Sequence, residues 1–338
     1  MSIIKQNYSL RNYNTFGITA KTKYFTSFTS EEALIKLLEN DICKLEKMLI
    51  LGGGSNILLS EDFDGITLLN DIKGINIIKE NSKEVIIEVG AGEIWHDFVL
   101  WSVKKGFSGI ENLALIPGSV GASPMQNIGA YGVEVKDVIT QVYYIDIAKK
   151  KKKELNNNEC GFEYRNSIFK GRLKGKGIVT KVIFKLYKTP INNTDYGDIK
   201  EELKKLKKNA SPINITEAVI NIRNRKLPDP AILGNCGSFF KNPIIKNSKF
   251  KKLKKEFPNV IGYKISNTKT KVSAGWLIDN AGLKGYREKN VGIHNKQALV
   301  LVNHGNAKGK DILKLAEKIE LIIKKKYDIS LEKEVNII

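Results

Sequence analysis

Two glycine-rich loops, each placed after an apolar run, constrain this chain more than any other feature. Lys47–Leu51 is typical of a buried strand and runs into Gly52–Asn56; a second apolar run, Val85–Val89, precedes Gly90–Gly92 and the longer glycine-punctuated region Leu113–Val133. Glycine lets the backbone adopt positive φ and approach a ligand closely, and the N–H groups of such a loop can surround an anion. One loop alone could be a tight turn between strands, but two in one half of the chain favour a diphosphate ligand.

The common nucleotide-binding motifs are missing from both loops. The dinucleotide pattern G-x-G-x-x-G would need glycine at position 57 or 95, where the chain has Ile57 and Trp95. The pattern G-x-x-x-x-G-K-[ST] does not occur in the sequence. A Rossmann or P-loop nucleotide site is therefore not supported.

The strongly basic composition would suit nucleic-acid binding, but its residue types do not. Basic residues outnumber acidic ones by 56 to 36, which gives a net charge of +20 and a pI near 9.6. Specific base recognition depends on the arginine fork, whereas lysine is the ordinary solvated surface charge, and we interpret the lysine run 149–153 as a solvated turn. We therefore expect no nucleic-acid partner. Because lysine is the usual base here, a remaining arginine is expected where planar, bidentate geometry is needed, which singles out Arg165, Arg223 and Arg225. The six arginines are Arg11, Arg165, Arg172, Arg223, Arg225 and Arg287.

Several classes of protein are excluded by simple features. No stretch approaches the roughly 18 consecutive apolar residues of a membrane span, and the N-terminal residues lack the apolar core of a signal peptide. Cys43, Cys160 and Cys236 are odd in number and have no repeated spacing, which argues against a disulfide framework or a zinc site. We expect a cytoplasmic protein with no membrane insertion and no metal. The three histidines, His96, His294 and His304, are interpreted as structural or surface groups.

The pattern of elements favours an α+β fold. Strands are predicted over 141–147 and 177–186 and a helix near Trp95, but helices between strands are too few for a doubly wound sheet. The polar segment 188–212 is predicted to separate two domains. After it, Thr216 can cap a helix that Pro228 ends, with Arg223 and Lys226 on one face of that helix.

The last part of the chain is predicted to form a helix and then a strand. The helix covers 311–327. In the strand 329–337, Glu332, Glu334 and Asn336 face away from the apolar side chains. The apolar stripe of the helix is predicted to be Ile312, Leu315, Ala316, Ile319 and Ile322.

Blocks of sequence along essentially the whole chain resemble the UDP-N-acetylenolpyruvoylglucosamine reductase family. They are NTFG, GGGSN, ENLALIPGSVGASPMQNIGAYG, GFEYRNSIFK, KLPDP, GNCGSFFKNP, SAGWLIDNAGLKG and the terminal LEKEV. The GNCGSFFKNP block and the long IPGSVG to NIGAYG block are the most specific. The resemblance implies an NADPH-dependent flavoenzyme of peptidoglycan precursor synthesis, of the subclass in which a tyrosine loop covers the substrate. It also implies roles in cell wall biogenesis, cell shape, cell division and the cell cycle.

The resemblance implies an α+β fold with two domains. Residues 1–205 would form an FAD-binding domain of the vanillyl-alcohol-oxidase (PCMH) type, in lobes of about 1–60 and 61–205, with loop 190–200 reaching over the substrate. Residues 206–338 would form an α+β domain that binds the UDP-sugar, with the last strand returning to the active site. FAD would be held non-covalently, and its candidate contacts are Gly53, Gly54, Ser55, Asn56, Gly118, Ser119, Gly121, Gln126, Asn127 and Gly132.

The implied reaction is reduction of the enolpyruvyl group of UDP-N-acetylglucosamine enolpyruvate to give UDP-N-acetylmuramate. NADPH would reduce the flavin, which would deliver hydride to the vinyl carbon, leaving a carbanion on the adjacent carbon. Such chemistry requires a cation on the carboxylate, a hydrogen-bonding acid beside it and a placed proton donor. The matching catalytic positions are Arg165, Glu334 and Ser238, with the Ser238 hydroxyl as the proton donor.

Further positions match the substrate pocket of the family. Tyr196 corresponds to the tyrosine of the loop that covers the nucleotide, and Lys226 and Asn242 would lie nearest the UDP diphosphate. The resemblance thus implies an oxidoreductase, expected to be a monomer, whose partners are its substrate and NADPH. The full set of substrate-binding candidates is Tyr196, Arg223, Lys226, Asn242, Lys284 and Gln297.

Two positions depart from the family pattern. Lys333 stands where proline usually precedes the glutamate, which would loosen the strand that aims Glu334. Cys236 stands where a small residue is common, which would make the site sensitive to oxidants.

Two other functions stay open. One alternative is another flavin oxidase of the same fold, which would consume oxygen without needing NADPH. The other is a basic nucleic-acid-binding protein without enzymatic activity, which would be colourless.

Overall fold

The computed structural model describes residues 3–338, and the chain forms two compact units. The first unit consists of residues 3–8, 22–54 and 64–225, and the second of residues 9–21, 55–63 and 226–338. Both units mix helices with strands, so the α+β fold is confirmed. The division into ligand-binding domains at residues 205 and 206 stays a prediction, because compactness does not show which residues bind which ligand.

The helices and strands within residues 3–338 are short apart from the last helix. The α-helices are α1 (Glu31–Glu39), α2 (Asp41–Leu45), α3 (Trp95–Lys104), α4 (Ile199–Leu206), α5 (Pro212–Lys226), α6 (Asn247–Glu256), α7 (Ala274–Asn280) and α8 (Gly309–Tyr327). The first twelve strands are β1 (Lys5–Ser9), β2 (Lys21–Phe28), β3 (Met48–Leu51), β4 (Ile57–Leu58), β5 (Phe63–Asn70), β6 (Ile75–Glu80), β7 (Glu84–Gly90), β8 (Gly129–Ala130), β9 (Val133–Glu134), β10 (Ile139–Asp146), β11 (Lys151–Asn156) and β12 (Gly177–Tyr187). The others are β13 (Gly234–Ser238), β14 (Ile244–Lys246), β15 (Gly262–Lys264), β16 (Lys269–Val272), β17 (Arg287–Glu288), β18 (Val291–Ile293), β19 (Val300–Asn303) and β20 (Asn336–Ile337).

Two larger sheets build the first unit. One has the order β1-β2-β5-β3, in which β3 and β5 are parallel. The other has the order β11-β10-β12-β7-β6 and is antiparallel. Helix α3 packs on this second sheet, because Trp95 and Phe98 are buried against Phe184 of β12. The glycine loops leave the ends of β3 and β7, as the sequence predicts.

A four-stranded antiparallel sheet and a long helix build the second unit. The sheet has the order β13-β19-β18-β17, and α8 packs against β18 and β19. Strand β20 pairs in parallel with β4, with Asn336 opposite Ile57. The predicted stripe of α8 is confirmed at its first four positions, but Ile323 is buried in place of the half-buried Ile322.

Several local predictions were wrong. Helix α5 begins at Pro212 rather than near Thr216, because the C=O of Ser211 accepts the first helical hydrogen bond and proline suits the first position of a helix. The polar segment 188–212 contains a helix, α4, that sequence reasoning missed. Only Asn336–Ile337 of the predicted terminal strand is a strand, and the lysine run enters β11 at its third residue.

Candidate active site

The two glycine loops predicted to hold a diphosphate lie against each other in the first unit. An ideal Cβ atom on Gly53 would lie 2.8 Å from the Cα of Gly118. A Cβ atom on Gly52 would collide with the Oγ of Ser119. The backbones of the two loops therefore approach as closely as only residues without a side chain allow.

The backbone donors of these loops suit an anion. Within residues 3–338, the N–H groups of Gly53, Gly54, Gly118 and Ser119 donate to no protein acceptor. The N–H of Trp95, the first residue of α3, donates to the C=O of Gly118 over 3.0 Å. The N-terminus of α3, which is the positive end of its dipole, therefore contacts the Gly118 loop. Unused N–H groups beside a helix N-terminus are an anion site. The residues present thus fit the diphosphate of FAD.

Asn127, a predicted flavin contact, has its side chain engaged within the protein. It is buried, and its Nδ2 donates to the Oε2 of Glu134 over 3.0 Å and to the C=O of Glu163 over 3.1 Å. Its Oδ1 accepts from the N–H of Lys136 over 3.1 Å. A contact between Asn127 and FAD would therefore have to involve its backbone. Of the other candidates in this unit, Gly121 is buried, Gln126 is half-buried and Gly132 is exposed.

Arg165 lies at the turn of a short hairpin, 163–166, and is fixed to the glycine-punctuated block. Its Nη2 donates to the C=O of Gly129 over 2.8 Å, and the Oγ of Ser167 donates to the C=O of Met125 over 2.8 Å. The φ of Arg165 is +55°, in the left-handed region that side chains other than glycine rarely adopt. The hydrogen bond to Gly129 thus fixes the guanidinium, and the left-handed φ of Arg165 constrains the backbone that carries it.

The predicted substrate-covering tyrosine, Tyr196, packs against the NIGAYG block. A Cβ on Gly132 would lie 3.2 Å from the Cβ of Tyr196, and a Cβ on Gly197 would lie 3.3 Å from the ring of Tyr131. Both glycines have positive φ, +80° and +69°. Burial lowers the pKa of Arg223, and the adjacent Tyr131 partly offsets this effect. The structure thus places two substrate-binding candidates, Tyr196 and Arg223, around Tyr131.

Ser238 ends β13 beyond a bulge and is exposed in the second unit. The pairing of β13 with β19 shifts between Asn235 and Ser238, and Ser238 lies opposite Val300. Gly237 has a φ of +73°, and its N–H donates to the Oδ1 of Asn235 over 2.9 Å. A bulge bends a strand and redirects the side chains after it, so this local geometry turns Ser238 outwards.

Glu334 lies beside the strand that carries Ser238. Its N–H donates to the C=O of Phe239 over 2.8 Å. Its own C=O accepts from the Nδ2 of Asn56 over 3.4 Å. Glu334 is only 9% exposed, whereas sequence pattern alone would leave such a carboxylate in solvent. The structure thus brings together Asn56, Ser238 and Glu334 in the second unit.

Cys236 is a buried thiol rather than a reactive one. Burial first, and then the negative charge of Glu334, raise the pKa of Cys236 well above its usual value. Burial also raises the pKa of Cys43, and that of Cys160 to about 12. A thiol reacts as its thiolate, so the expected sensitivity of Cys236 to oxidants does not agree with its surroundings.

The remaining candidates of the second unit occupy separate places. The Oδ1 of Asn242 accepts from the N–H of Ala274, the first residue of α7, over 2.9 Å. The Nζ of Lys284 forms an ion pair with Asp279 at the surface. Gln297 is half-buried before β19, Lys226 is exposed at the end of α5, and Ser55 is half-buried. The assignment of these residues to the substrate or to FAD stays a prediction.

Sequence reasoning missed two residues that hold the loops. The Nδ1 of His96 accepts from the N–H of Leu115 over 2.9 Å. The Nδ2 of the buried Asn112 donates to the C=O of Tyr131 over 3.0 Å and to that of Asn193 over 2.8 Å. Asn112 therefore joins the NIGAYG block to the loop of Tyr196. Neither contact has a signal in residue spacing, because each joins segments that only the fold brings together.

Residues 3–338 contain neither a metal-binding cluster nor a membrane-spanning helix. That part of the chain has no group of three or more His, Cys, Asp or Glu arranged to hold a metal ion. None of its helices combines the length and the apolar character that crossing a membrane requires. The candidate functional groups of the first unit are the glycine loops and Arg165, and those of the second unit are the Ser238 cluster.

Comparison with known proteins agrees with this geometry. Residues 23–150 match the family described as FAD binding domain, and residues 229–338 match the family described as UDP-N-acetylenolpyruvoylglucosamine reductase, C-terminal domain. A relative with the reductase name from Flavobacterium johnsoniae is 49% identical over 337 residues, which are 99% of each chain. A relative of the same name from Chromobacterium violaceum is 43% identical over 96% of each chain. A crystal structure of the enzyme of that name from Thermus caldophilus has a TM-score of 0.69 at 24% identity and covers 100% of this chain and 98% of its own, which shows the fold.

The matched FAD-binding domain and the matched C-terminal domain of a reductase define a flavin-dependent oxidoreductase. The cofactor expected from the resemblance, FAD, is thereby confirmed. With relatives 49% and 45% identical over 99% of its length, the chain belongs to the UDP-N-acetylenolpyruvoylglucosamine reductase family.

Proposed function

We propose that this protein reduces the enolpyruvyl group of UDP-N-acetylglucosamine enolpyruvate to give UDP-N-acetylmuramate, a step of peptidoglycan precursor synthesis, with NADPH as co-substrate. The observation that carries the proposal is a sequence identity of 49% and 45%, over 99% of the chain, to two reductases of this family. FAD, when bound, supplies two-electron chemistry that links NADPH to the substrate. One hydride and one proton add across the carbon–carbon double bond, so the product has two more hydrogen atoms than the substrate.

The glycine loops would hold FAD by its diphosphate. The candidate donors are the N–H groups of Gly53, Gly54, Gly118 and Ser119, which have no protein acceptor within the described residues. Glycine is required here because the backbone itself must approach the anion. Ser55, Asn56, Gly121, Gln126, Asn127 and Gly132 are the further proposed contacts.

Arg165, Glu334 and Ser238 would perform the substrate half of the reaction. The Arg165 guanidinium would bind the substrate carboxylate, and the buried Glu334 would hydrogen-bond beside it as charge accumulates on the reacting carbon. The Oγ of Ser238 would donate the proton to that carbon. The support from geometry is the hydrogen bond from the backbone N–H of Glu334 to the C=O of Phe239, which holds the backbone of Glu334 beside the strand that carries Ser238.

The substrate nucleotide would be bound by cations and one aromatic ring. Arg223 and Lys226 carry the charge that a UDP diphosphate requires, and Tyr196 is 47% exposed, as a ring that covers a ligand must be. Asn242, Lys284 and Gln297 complete the proposed pocket. We further propose that the protein acts in the cytoplasm as a monomer.

Two measurements on the purified protein test this function. The holoprotein should be yellow, and acid or heat should release its FAD intact. Sustained loss of NADPH absorbance, beyond the one equivalent that reduces the flavin, should require UDP-N-acetylglucosamine enolpyruvate, and mass spectrometry should show the product with two added hydrogens. Oxygen consumption on an alcohol or sugar without NADPH would indicate instead an oxidase of the same fold. A colourless preparation that binds duplex DNA at physiological salt would contradict both enzymatic functions.

A further inference from the structure

We infer that His96 is a positioning residue of the FAD diphosphate loop, and that it holds this loop only when its imidazole is neutral. The inference rests on the proposed function in one respect, that FAD binds at the glycine loops. It concerns a histidine that the resemblance to the family does not single out. The supporting observations come from the first unit alone.

The hydrogen bond of His96 fixes its protonation state. Its Nδ1 accepts from the backbone N–H of Leu115 over 2.9 Å, so Nδ1 carries no proton and Nε2 carries the hydrogen of the neutral ring. Protonation of Nδ1 would give the ring a second N–H group, which would point at the N–H of Leu115. Two donors cannot share a hydrogen bond, so the imidazolium form loses this contact.

The partner of His96 has an unfavourable backbone conformation. Leu115 has a φ of +58°, a region in which a bulky side chain is a conformational outlier. Its conformation persists only where surrounding contacts determine it. The bond from His96 is such a contact, since it satisfies the backbone N–H of Leu115.

Leu115 leads directly into the diphosphate loop. Gly118 is three residues further on and packs backbone to backbone against Gly53. The C=O of Gly118 accepts from the N–H of Trp95, which precedes His96 at the start of α3. Adjacent residues of one helix thus hold both ends of the segment 115–118, and a shift of Leu115 would move the N–H groups offered to the anion.

The surroundings of His96 favour the neutral ring. Burial lowers the pKa of His96 below its usual value of 6.5, and the charge of Arg223 on α5 lowers it further. Asp97, the next residue of α3, acts in the opposite direction. The N-terminus of α3 also disfavours a cation. Because the pKa of His96 is lowered in the folded protein, the contribution of its neutral ring to stability is complete above the ordinary pKa of histidine. That contribution is lost as the pH falls through the lowered pKa of the folded state.

The test follows the release of FAD from the holoprotein. Free flavin is measured by its fluorescence after dilution, between about pH 8 and pH 5. Wild-type protein should bind FAD about tenfold more weakly at the acidic end, since one partly buried hydrogen bond is lost. His96→Leu, which lacks the acceptor, should bind FAD about tenfold more weakly than wild type already at about pH 8, with a flat profile below.

Two further variants separate positioning from general effects. In His96→Asn the amide oxygen can replace Nδ1 as acceptor but does not titrate, so affinity should stay near the wild-type value across the whole range. His304→Asn removes a histidine whose pKa is also lowered by burial, but in the second unit, and should reproduce the wild-type profile.

Each outcome is decisive for the inference. It is overturned if His96→Asn shows the acid weakening of wild type, if wild-type affinity is independent of pH, or if His96→Leu binds FAD as tightly as wild type at about pH 8. A preparation without flavin would contradict the proposed function itself. The two failures are therefore distinguishable.

Discussion

The backbone N–H of Glu334 donates to the C=O of Phe239, so the carboxylate candidate lies beside the residue that follows Ser238. The two segments pair as an isolated antiparallel bridge between Phe240 and Lys333, and on its other side the N–H of Lys241 donates to the C=O of Glu332 over 2.9 Å. A slip of one residue in such pairing would turn Glu334 to the opposite face. The position of Glu334 relative to Ser238 therefore depends on the backbone of the terminal segment.

Replacing Ser238 should separate the two halves of the reaction. In Ser238→Ala, reduction of the flavin by NADPH should be nearly normal, because that step needs no proton from the serine. Reduction of the substrate should slow by about a thousandfold, the typical contribution of a placed general acid. Stopped-flow absorbance of the flavin measures each half-reaction. The exposed Ser248→Ala is the control, and an equal loss in both half-reactions would show that Ser238 serves folding or flavin binding instead.

Replacing Arg165 by lysine should not preserve activity. Lysine is a point charge and cannot reproduce a fork that binds a carboxylate while one nitrogen contacts the C=O of Gly129. We expect substrate reduction to fall by about a hundredfold, with flavin reduction intact. Arg172→Lys, at an exposed arginine of the same unit, should leave steady-state kinetics unchanged. Near-normal turnover of Arg165→Lys would refute the proposed role.

Because the two glycine loops are in contact, alanine substitutions at the adjacent Gly52 and Gly53 should have unequal effects on FAD binding. A methyl group on Gly53 would lie 2.8 Å from backbone atoms of Gly118, which cannot move without moving the loop. A methyl group on Gly52 meets chiefly the Ser119 hydroxyl, which can rotate away. Gly53→Ala should therefore lose most of its FAD and Gly52→Ala should retain it, as the ratio of flavin to protein absorbance would show. Equal retention by both variants would mean that the close approach is not needed.

Lys333, expected to loosen the terminal segment, instead ties it to a helix. Its Nζ contacts both carboxylate oxygens of Glu320 on α8, at 2.8 and 2.9 Å, with both side chains 25% exposed. We expect Glu320→Gln to reduce substrate turnover severalfold and to cost about 1 kcal/mol of unfolding free energy. The exchanged pair, Glu320→Lys with Lys333→Glu, should recover part of the turnover.

The same helix offers a control for this pair. Glu288 binds Lys318 of α8 at 3.0 Å, but its side chain is 54% exposed. Because solvent screens such a pair, Glu288→Gln should change neither turnover nor thermal unfolding measurably. If Glu320→Gln behaves in the same way, the ion pair of Lys333 does not position Glu334.

The sequence predicts most strongly what depends on local chemistry. The strand that runs into Gly52, the start of α3 and the apolar stripe of α8 follow from periodicity and glycine content; the first two were confirmed, and the stripe was confirmed at four of its five positions. The orientation of Ser238 was not predictable, because the bulge before it is defined only by pairing with β19. The burial of Glu334 was missed for the same reason, since alternation along one segment does not show what packs on its polar face.

The backbone contact between Gly53 and Gly118 also restricts how this protein can change over generations. Gly53 cannot acquire a side chain on its own, because the obstacle is the main chain of the other loop. A library that randomises Gly53 should therefore return glycine among its active clones unless the opposing loop has been remodelled as well.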